Sequence, residues 1–264
     1  MMPGVFRERY GPWALVTGAS DGIGRAFAER LAALGLNLVL VARRADRLEE
    51  LAQRMEAAHG VRTRVVAADL GTQRALDEIA SATADLDVGL LVASAGYGTS
   101  GALLSADLDR ERDMLDVNCY AVLWQCVVLG RRLVARGRGG IILMSSLVGW
   151  EGVPQSAHYA ATKAYVQSLA EALRVELKAA GVDVLACAPG PVRSGFAERA
   201  DMRMGATVPA DEVAQAAIRA LGRKGTVIPG ALSKLLTYSL LPLPRVLRTR
   251  ILAGVMGGMT KHQG

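Results

Sequence analysis

Cysteine, histidine and aromatic side chains are scarce in this chain. Three cysteines, Cys119, Cys126 and Cys187, stand among 264 residues, an odd number with no CxxC pair. That count argues against a disulfide framework or a structural zinc site and fits a reducing, cytoplasmic setting. Aromatic residues make up 5% of the chain and give no sign of a sugar-stacking site. Uncharged apolar runs of the roughly 18–20 residues needed to span a bilayer are absent. The longest candidates lie between Lys234 and Arg245, a stretch holding Pro242 and Pro244, and between Arg250 and Lys261. Charges break any apolar stretch near the N-terminus, so no signal peptide is expected. Residues 213–264 contain no Asp or Glu but eight basic residues, among them Lys234, Arg245, Arg248, Arg250 and Lys261. The whole chain has a formal charge of +6, so residues 1–212, with 23 basic and 25 acidic residues, carry −2. A protein that wraps nucleic acid spreads Lys and Arg over its main surface. Here the charge is confined to one segment with a single aromatic residue, Tyr238, and no nucleic-acid partner is expected.

What is present is a large apolar fraction, 51% hydrophobic against 21% charged, which excludes disorder as a description of the whole chain. Strand-like and helix-like patterns alternate. Segments 14–17, 36–42, 61–67, 89–93, 141–144 and 182–186 read as strands, with a seventh at 226–228; the continuous apolar run 36–42 is the mark of a strand buried on both faces. Helical spacing appears at 23–34, 45–58, 72–84, 109–136, 158–180 and 210–221. The pattern predicts an α/β fold, a doubly wound parallel Rossmann-type sheet of about seven strands in the order 3-2-1-4-5-6-7, with helices on both faces. Residues 1–230 form the expected single domain, including a substrate-loop segment at 191–208, and residues 231–264 a basic, apolar C-terminal extension.

The segment TGASDGIG at 17–24 follows the first strand and opens a helix. Backbone amides at a helix N-terminus attract phosphate, so Gly18, Ser20, Asp21, Gly22, Ile23 and Gly24 become candidates for binding a dinucleotide. A plain strand–helix turn would explain the glycines alone. An NAD site usually has an acidic residue at the end of the second strand. Here Ala42 is followed by Arg43 and Arg44, both cofactor-binding candidates; the planar fork of Arg43 suits a 2′-phosphate, with a solvated charge at the helix start as the alternative. Asp21 in the loop slightly opposes a second phosphate. NADP(H) is the expected cofactor and NAD(H) the alternative.

Tyr159 and Lys163, spaced i, i+4, share a helix face, and Ser146 stands just after the fifth strand. Parallel sheets place their chemistry at the C-terminal ends of the strands. A tyrosine with its ordinary pKa of about 10 is a poor acid or base at neutral pH. A nearby ammonium lowers that value, a task Lys163 can perform, while Ser146 can hold a substrate oxygen. A proton donor beside a hydride donor describes a carbonyl reductase or alcohol dehydrogenase. A core-facing Tyr with a surface Lys is the bland alternative.

Together with Asp69–Leu70, ASAG at 93–96, Asn118, YAATK at 159–163 and PGPVRS at 189–194, these motifs make the chain resemble the short-chain dehydrogenase/reductase family. The resemblance covers residues 12–195. It implies that Ser146, Tyr159 and Lys163 are catalytic and that Asn118 supports a water relaying protons from Lys163. It also implies that Asp69 and Leu70 hold the adenine, that Ala95 and Gly96 lie on the cofactor, that Pro189, Gly190 and Val192 lie against the nicotinamide side, and that Ser194 stands where the family often binds the carboxamide. The family usually has Asn where this chain has Ala93, so that contact is in doubt. His158 looks like a loop residue with no need to act as a base. Cys119 and Cys126, two turns apart, read as packing residues.

Phe196, Met202 and Met204 fall in the segment that sets substrate choice in this family. An apolar steroid-, retinoid- or fatty-acyl-like carbonyl or secondary alcohol is the expected small-molecule substrate. A non-catalytic NADP(H)-binding sensor or scaffold on the same fold is the alternative. The tail is suited to peripheral contact with the inner face of a membrane, to an oligomer interface, or to packing on its own domain. The resemblance implies a homodimer or homotetramer formed through the two long helices.

Overall fold

The computed structural model describes residues 3–203 and 205–260; Met204 and Lys261 lie outside the described residues. Seven parallel strands form one sheet: β1 (Trp13–Thr17), β2 (Asn37–Ala42), β3 (Thr63–Ala67), β4 (Val88–Ala93), β5 (Gly139–Met144), β6 (Val182–Cys187) and β7 (Thr226–Val227). Their order is β3-β2-β1-β4-β5-β6-β7, the expected doubly wound arrangement. The middle of the sheet is in simple register, with Leu15 of β1 opposite Val39 of β2 and Leu91 of β4.

Side chains alternate across each strand, and this divides the core into two layers. Val16, Leu40, Val92 and Ile142 face α2 (Gly22–Ala33), α3 (Ala45–His59) and α9 (Ala210–Ala220), meeting Phe27, Leu31, Leu48 and Val213. Leu15, Val41, Leu91 and Ile141 face α4 (Gln73–Thr83), α6 (Ala121–Arg136) and α7 (Ala157–Glu176), meeting Leu76, Val122, Leu129 and Val166. β1, β2, β4 and β5 are buried along their whole length, which is why they read as unbroken apolar runs.

Four local features depart from the sequence pattern. A short helix, α1 (Pro3–Tyr10), precedes the first strand. Its charged middle hides two apolar anchors one turn apart, Phe6 and Tyr10, both fully buried with ring centroids 4.7 Å apart. The Tyr10 hydroxyl and the Arg9 guanidinium both donate to Asp183 Oδ2 at 2.7 Å, fixing α1 to β6. The expected helix over 109–136 is helical but not uniform. It comprises α5 (Leu108–Leu115), a π turn at Asp116–Tyr120 and α6. The helix expected to reach residue 180 stops at Glu176, and turns carry the chain into β6. His158, expected in a loop, lies instead in the first turn of α7. Its Nδ1 sits 2.5 Å from Glu111 Oε2 of α5, so the imidazole serves helix–helix packing.

The tail is also helical: α10 (Ala231–Leu240) and α11 (Arg245–Thr260), joined across Pro242 and Pro244. It packs on its own domain. Met256, Leu252 and Met259 join Val153, Ala160 and Met202 in a small apolar cluster, and Arg248 pairs with the buried Glu151. Among the described residues no helix is long and apolar enough to cross a membrane.

Candidate active site

The C-terminal ends of β1, β2, β4, β5 and β6 open onto one cleft of about 1250 Å³. At one end lies the glycine loop. Gly22 has a left-handed φ of 51°, and a Cβ there would come within 2.7 Å of Ser194. A Cβ on Gly24 would meet the Gly18 carbonyl oxygen at 2.3 Å, so α2 can start this close to β1 only on glycine. Asp21 caps α2 by accepting from Gly22 N at 2.7 Å, and its other oxygen accepts from Gly195 N at 3.2 Å. Its carboxylate therefore has a structural task in the loop. Arg44 donates to Ser20 Oγ at 3.0 Å and lies 3.8 Å from Asp21, while Arg43 lies 3.8 Å from Asp69. Arg44 thus sits on the glycine loop and Arg43 beside Asp69, next to the buried Leu70. Thr17 Oγ1 accepts from the amides of Ser94 and Ala95 at 3.1 and 3.2 Å, which ties the end of β4 to β1 where Ala93 has no polar side chain.

The chemical cluster stands mid-cleft. Ser146 follows β5 and caps a short 3₁₀ turn (Leu147–Trp150); Tyr159 and Lys163 project from α7. Lys163 Nζ donates to the Met144 carbonyl at 2.9 Å and lies 5.7 Å from the Tyr159 ring centroid. Burial pushes the Tyr159 hydroxyl up to about 12, partly opposed by its hydrogen bond with Ser146. Burial also brings the Lys163 ammonium down to about 8. Lys163 is not among the groups that move the Tyr159 hydroxyl: burial sets the direction, and the ammonium is turned to the Met144 carbonyl.

Asn118 occupies the π turn and is fully buried. Its Oδ1 accepts from Tyr97 N at 3.1 Å; its Nδ2 donates to Tyr97 O at 2.8 Å and to Thr162 Oγ1 at 3.0 Å. Gly96 sits directly beneath, where a Cβ would lie 2.9 Å from Asn118 Oδ1 and 3.3 Å from Lys163 Nζ. Ala95 and Gly96 line the cleft wall. Cys119, in the same turn, is half-buried, and Cys126 lies in the core.

Across the mouth runs a strap at residues 194–201. The Pro189 carbonyl accepts from Leu147 N at 3.1 Å; Gly190 abuts Ser233 of α10; Val192 bridges to Val208; Ser194 Oγ accepts from Phe196 N at 3.3 Å. Phe196 opens a single-turn helix, α8 (Phe196–Arg199), and its ring lies 5.4 Å from that of Tyr159. Arg199 lies 3.7 Å above the Tyr97 ring and 3.9 Å from Asp113. The Tyr97 hydroxyl donates to Asp113 Oδ2 at 2.6 Å.

Sequence reasoning missed Tyr97, Arg199 and the far wall. Tyr97 directly follows ASAG, which is the one local signal it carried. The far wall comes from α10 and α11, whose Leu236, Leu240, Leu252, Val255 and Met256 line the cleft.

A family model described as short chain dehydrogenase matches residues 12–204. A 7beta-hydroxysteroid dehydrogenase of Collinsella aerofaciens is 35% identical over 178 residues, covering 67% of this chain and 68% of that protein. A solved structure from work on 7beta-hydroxysteroid dehydrogenase stereoselectivity superposes with a TM-score of 0.87 at 29% identity, covering 94% of this chain and 98% of that one. A short-chain dehydrogenase from Sphingobium yanoikuyae, solved in complex with NADPH, gives a TM-score of 0.80 at 30% identity, covering 88% and 92%. The likeness runs through sheet, glycine loop and α7 together, and the chain belongs to the short-chain dehydrogenase family, as an oxidoreductase.

Proposed function

We propose that the protein is an NADP(H)-dependent oxidoreductase for a bulky apolar ketone or secondary alcohol of steroid size. One observation carries this reading: a single cleft joins a phosphate-type loop flanked by arginines, a Ser–Tyr–Lys cluster and an apolar wall. The residues fit a dinucleotide. Gly22, Ile23 and Gly24 offer the amide end of α2, Arg43 offers a cation for a 2′-phosphate, Arg44 braces the glycine loop, and Asp69 and Leu70 offer an adenine slot. When bound, the nicotinamide supplies or takes up hydride. Ser146 holds the substrate oxygen beside the Tyr159 hydroxyl. With its pKa at about 12, Tyr159 keeps its proton at neutral pH and can give it to that oxygen in the reductive direction. Lys163 keeps a positive charge near the phenol below about pH 8. Phe196 and the helices α10 and α11 exclude water and favour a large apolar skeleton. The NADPH complex and the 7beta-hydroxysteroid dehydrogenase relatives support both halves of the reading. We further propose that residues 1–230 are the catalytic core with 231–264 as an added wall, that the enzyme acts in the cytoplasm, and that two copies pair through α6 and α7.

The test is a carbonyl and alcohol panel run with NADPH and NADH in parallel, including steroids, acyl thioesters and short ketones. Steroid-sized ketones should be turned over best, with NADPH preferred. Tyr159→Phe should lower kcat by at least about 100-fold while NADPH still quenches the protein's tryptophan fluorescence. Full turnover by that variant would remove the proposed chemistry.

A further inference from the structure

The tail helices do more than wall the cleft. α10, α11 and the turn between them also carry a set of large apolar side chains on the outside of the molecule: Leu232, Leu235, Leu241, Val246, Leu247 and Ile251 are all exposed. Leu235 and Val246, at 65% and 67% exposure, do not line the cleft, so their accessibility is to the outside. Leu241 and Ile251 are both exposed and line the cleft, which makes the hairpin side of its rim apolar. Among these side chains lie Lys234, Arg245 and Arg250, exposed and without an ion pair among the described residues. Arg248 is the one cation of the hairpin taken up by an acid, Glu151. The segment 213–264 supplies no carboxylate to neutralise the others.

Exposed leucines interleaved with unpaired cations and no anions match one kind of partner, a surface with negative headgroups over hydrocarbon. A second copy of the same face would bring like charges together, so charge complementarity favours the lipid surface over self-association. We propose that the α10–α11 hairpin docks the enzyme on anionic bilayers, with Leu235 and Val246 entering the interface and Lys234, Arg245 and Arg250 on the headgroups. The rim of the cleft then faces the acyl chains, and an apolar substrate passes from lipid to Tyr159 without crossing water. The supply route rests on the bulky-apolar-substrate reading; the docking does not, because it is measured without turnover.

The experiment is sedimentation of the full chain with sucrose-loaded vesicles, either phosphatidylcholine alone or phosphatidylcholine with phosphatidylglycerol. Three headgroup contacts should favour the anionic vesicles on the order of 100-fold at low salt, with most of the gain lost at about 0.5 M salt. K234Q/R245Q/R250Q should lose that preference, and L235D/V246D should lose binding to both vesicle types. Both variants should keep the wild-type melting temperature and turnover of a short water-soluble ketone. No sedimentation with anionic vesicles, or equal sedimentation with neutral ones, would overturn the proposal. So would a drop in oligomeric state of L235D/V246D, which would assign the face to a second copy.

Discussion

Burial moves the two titratable members of the cluster in opposite directions, and each shift has a measurable consequence. Lys163 titrates at about 8 in the folded chain instead of 10.5, so between these values the unfolded chain holds a proton that the native state has released. Stability attributable to Lys163 therefore rises with pH across that window. Tyr159, at about 12, works the other way above about pH 10, and the buried thiols Cys119 and Cys126, held at about 11 and 12, do so already above about pH 9. The contrast with Lys163→Met isolates the lysine. From about pH 7.5 to about pH 9.5, urea unfolding should show wild type gaining about 2 kcal/mol relative to the variant. A pH-independent difference would put Lys163 back at its ordinary value. The neighbouring arginines divide a different task. Arg44 braces Ser20 and Asp21 of the glycine loop, whereas Arg43 stands outside it beside Asp69. Arg43→Ala should weaken NADPH by about 10- to 100-fold and leave NADH nearly unchanged, as expected for loss of a charge-assisted phosphate contact. Arg44→Ala should weaken both nucleotides alike. Calorimetric titration with the two cofactors separates these outcomes, and an equal effect of Arg43→Ala on both would deny it the 2′-phosphate.

The π turn between α5 and α6 is the element on which the mid-cleft depends. An extra residue per turn swings Asn118 inward, where its carboxamide closes both backbone groups of Tyr97 and reaches Thr162 on α7. Three segments of the site, the end of β4, the π turn and α7, are thereby pinned by one side chain. Asn118→Leu should leave the buried N–H and C=O of Tyr97 unpaired, costing about 2–5 kcal/mol in all. Scanning calorimetry should register that as a fall in melting temperature. Asn118→Ser, which can still accept from one of those groups, should lose less; an unchanged melting temperature in both variants would show the staple to be dispensable. None of this geometry was legible beforehand. The strands were, because β1, β2, β4 and β5 are buried on both faces and must be apolar throughout. So were Gly22, Gly24 and the Tyr159–Lys163 pair, because their spacing is local. The π turn leaves no mark in composition, since its extra residue is held by contacts to Tyr97 and Thr162 that are distant in sequence. α1 shows only Phe6 and Tyr10 among charged neighbours, and the stacking of Arg199 on Tyr97 joins residues about a hundred positions apart.

At the scale of the whole molecule, the basic excess is concentrated in one segment, together with exposed apolar side chains. The tail helices carry cations and leucines over the cleft, while the −2 of residues 1–212 is spread over the sheet and its flanking helices. A second apolar region lies on α6 and α7, where Val127, Val134, Tyr165 and Val175 are exposed. It has what the tail face lacks for self-association. Exposed groups of α6 and α7 include both signs, Arg131 and Glu176, so two copies can meet there without a surplus of like charge. The same two helices bury Val122, Leu129, Val166 and Ala170 against the sheet, so the outward face can change without touching the core. A stable pair needs roughly 800 Å² from each partner, an area within reach of two helices of 16 and 20 residues lying side by side. The wild-type chain should therefore sediment as a dimer or a larger even-numbered assembly, and V134E/Y165E should sediment as a monomer. Tyr159 and Lys163 point to the cleft side of α7, so the double variant should keep its far-ultraviolet circular dichroism and its NADPH binding. It should also sediment with anionic vesicles as wild type does, because α10 and α11 present a different face. A monomeric wild type would sink the pairing through α6 and α7, and so would an assembly that V134E/Y165E leaves intact.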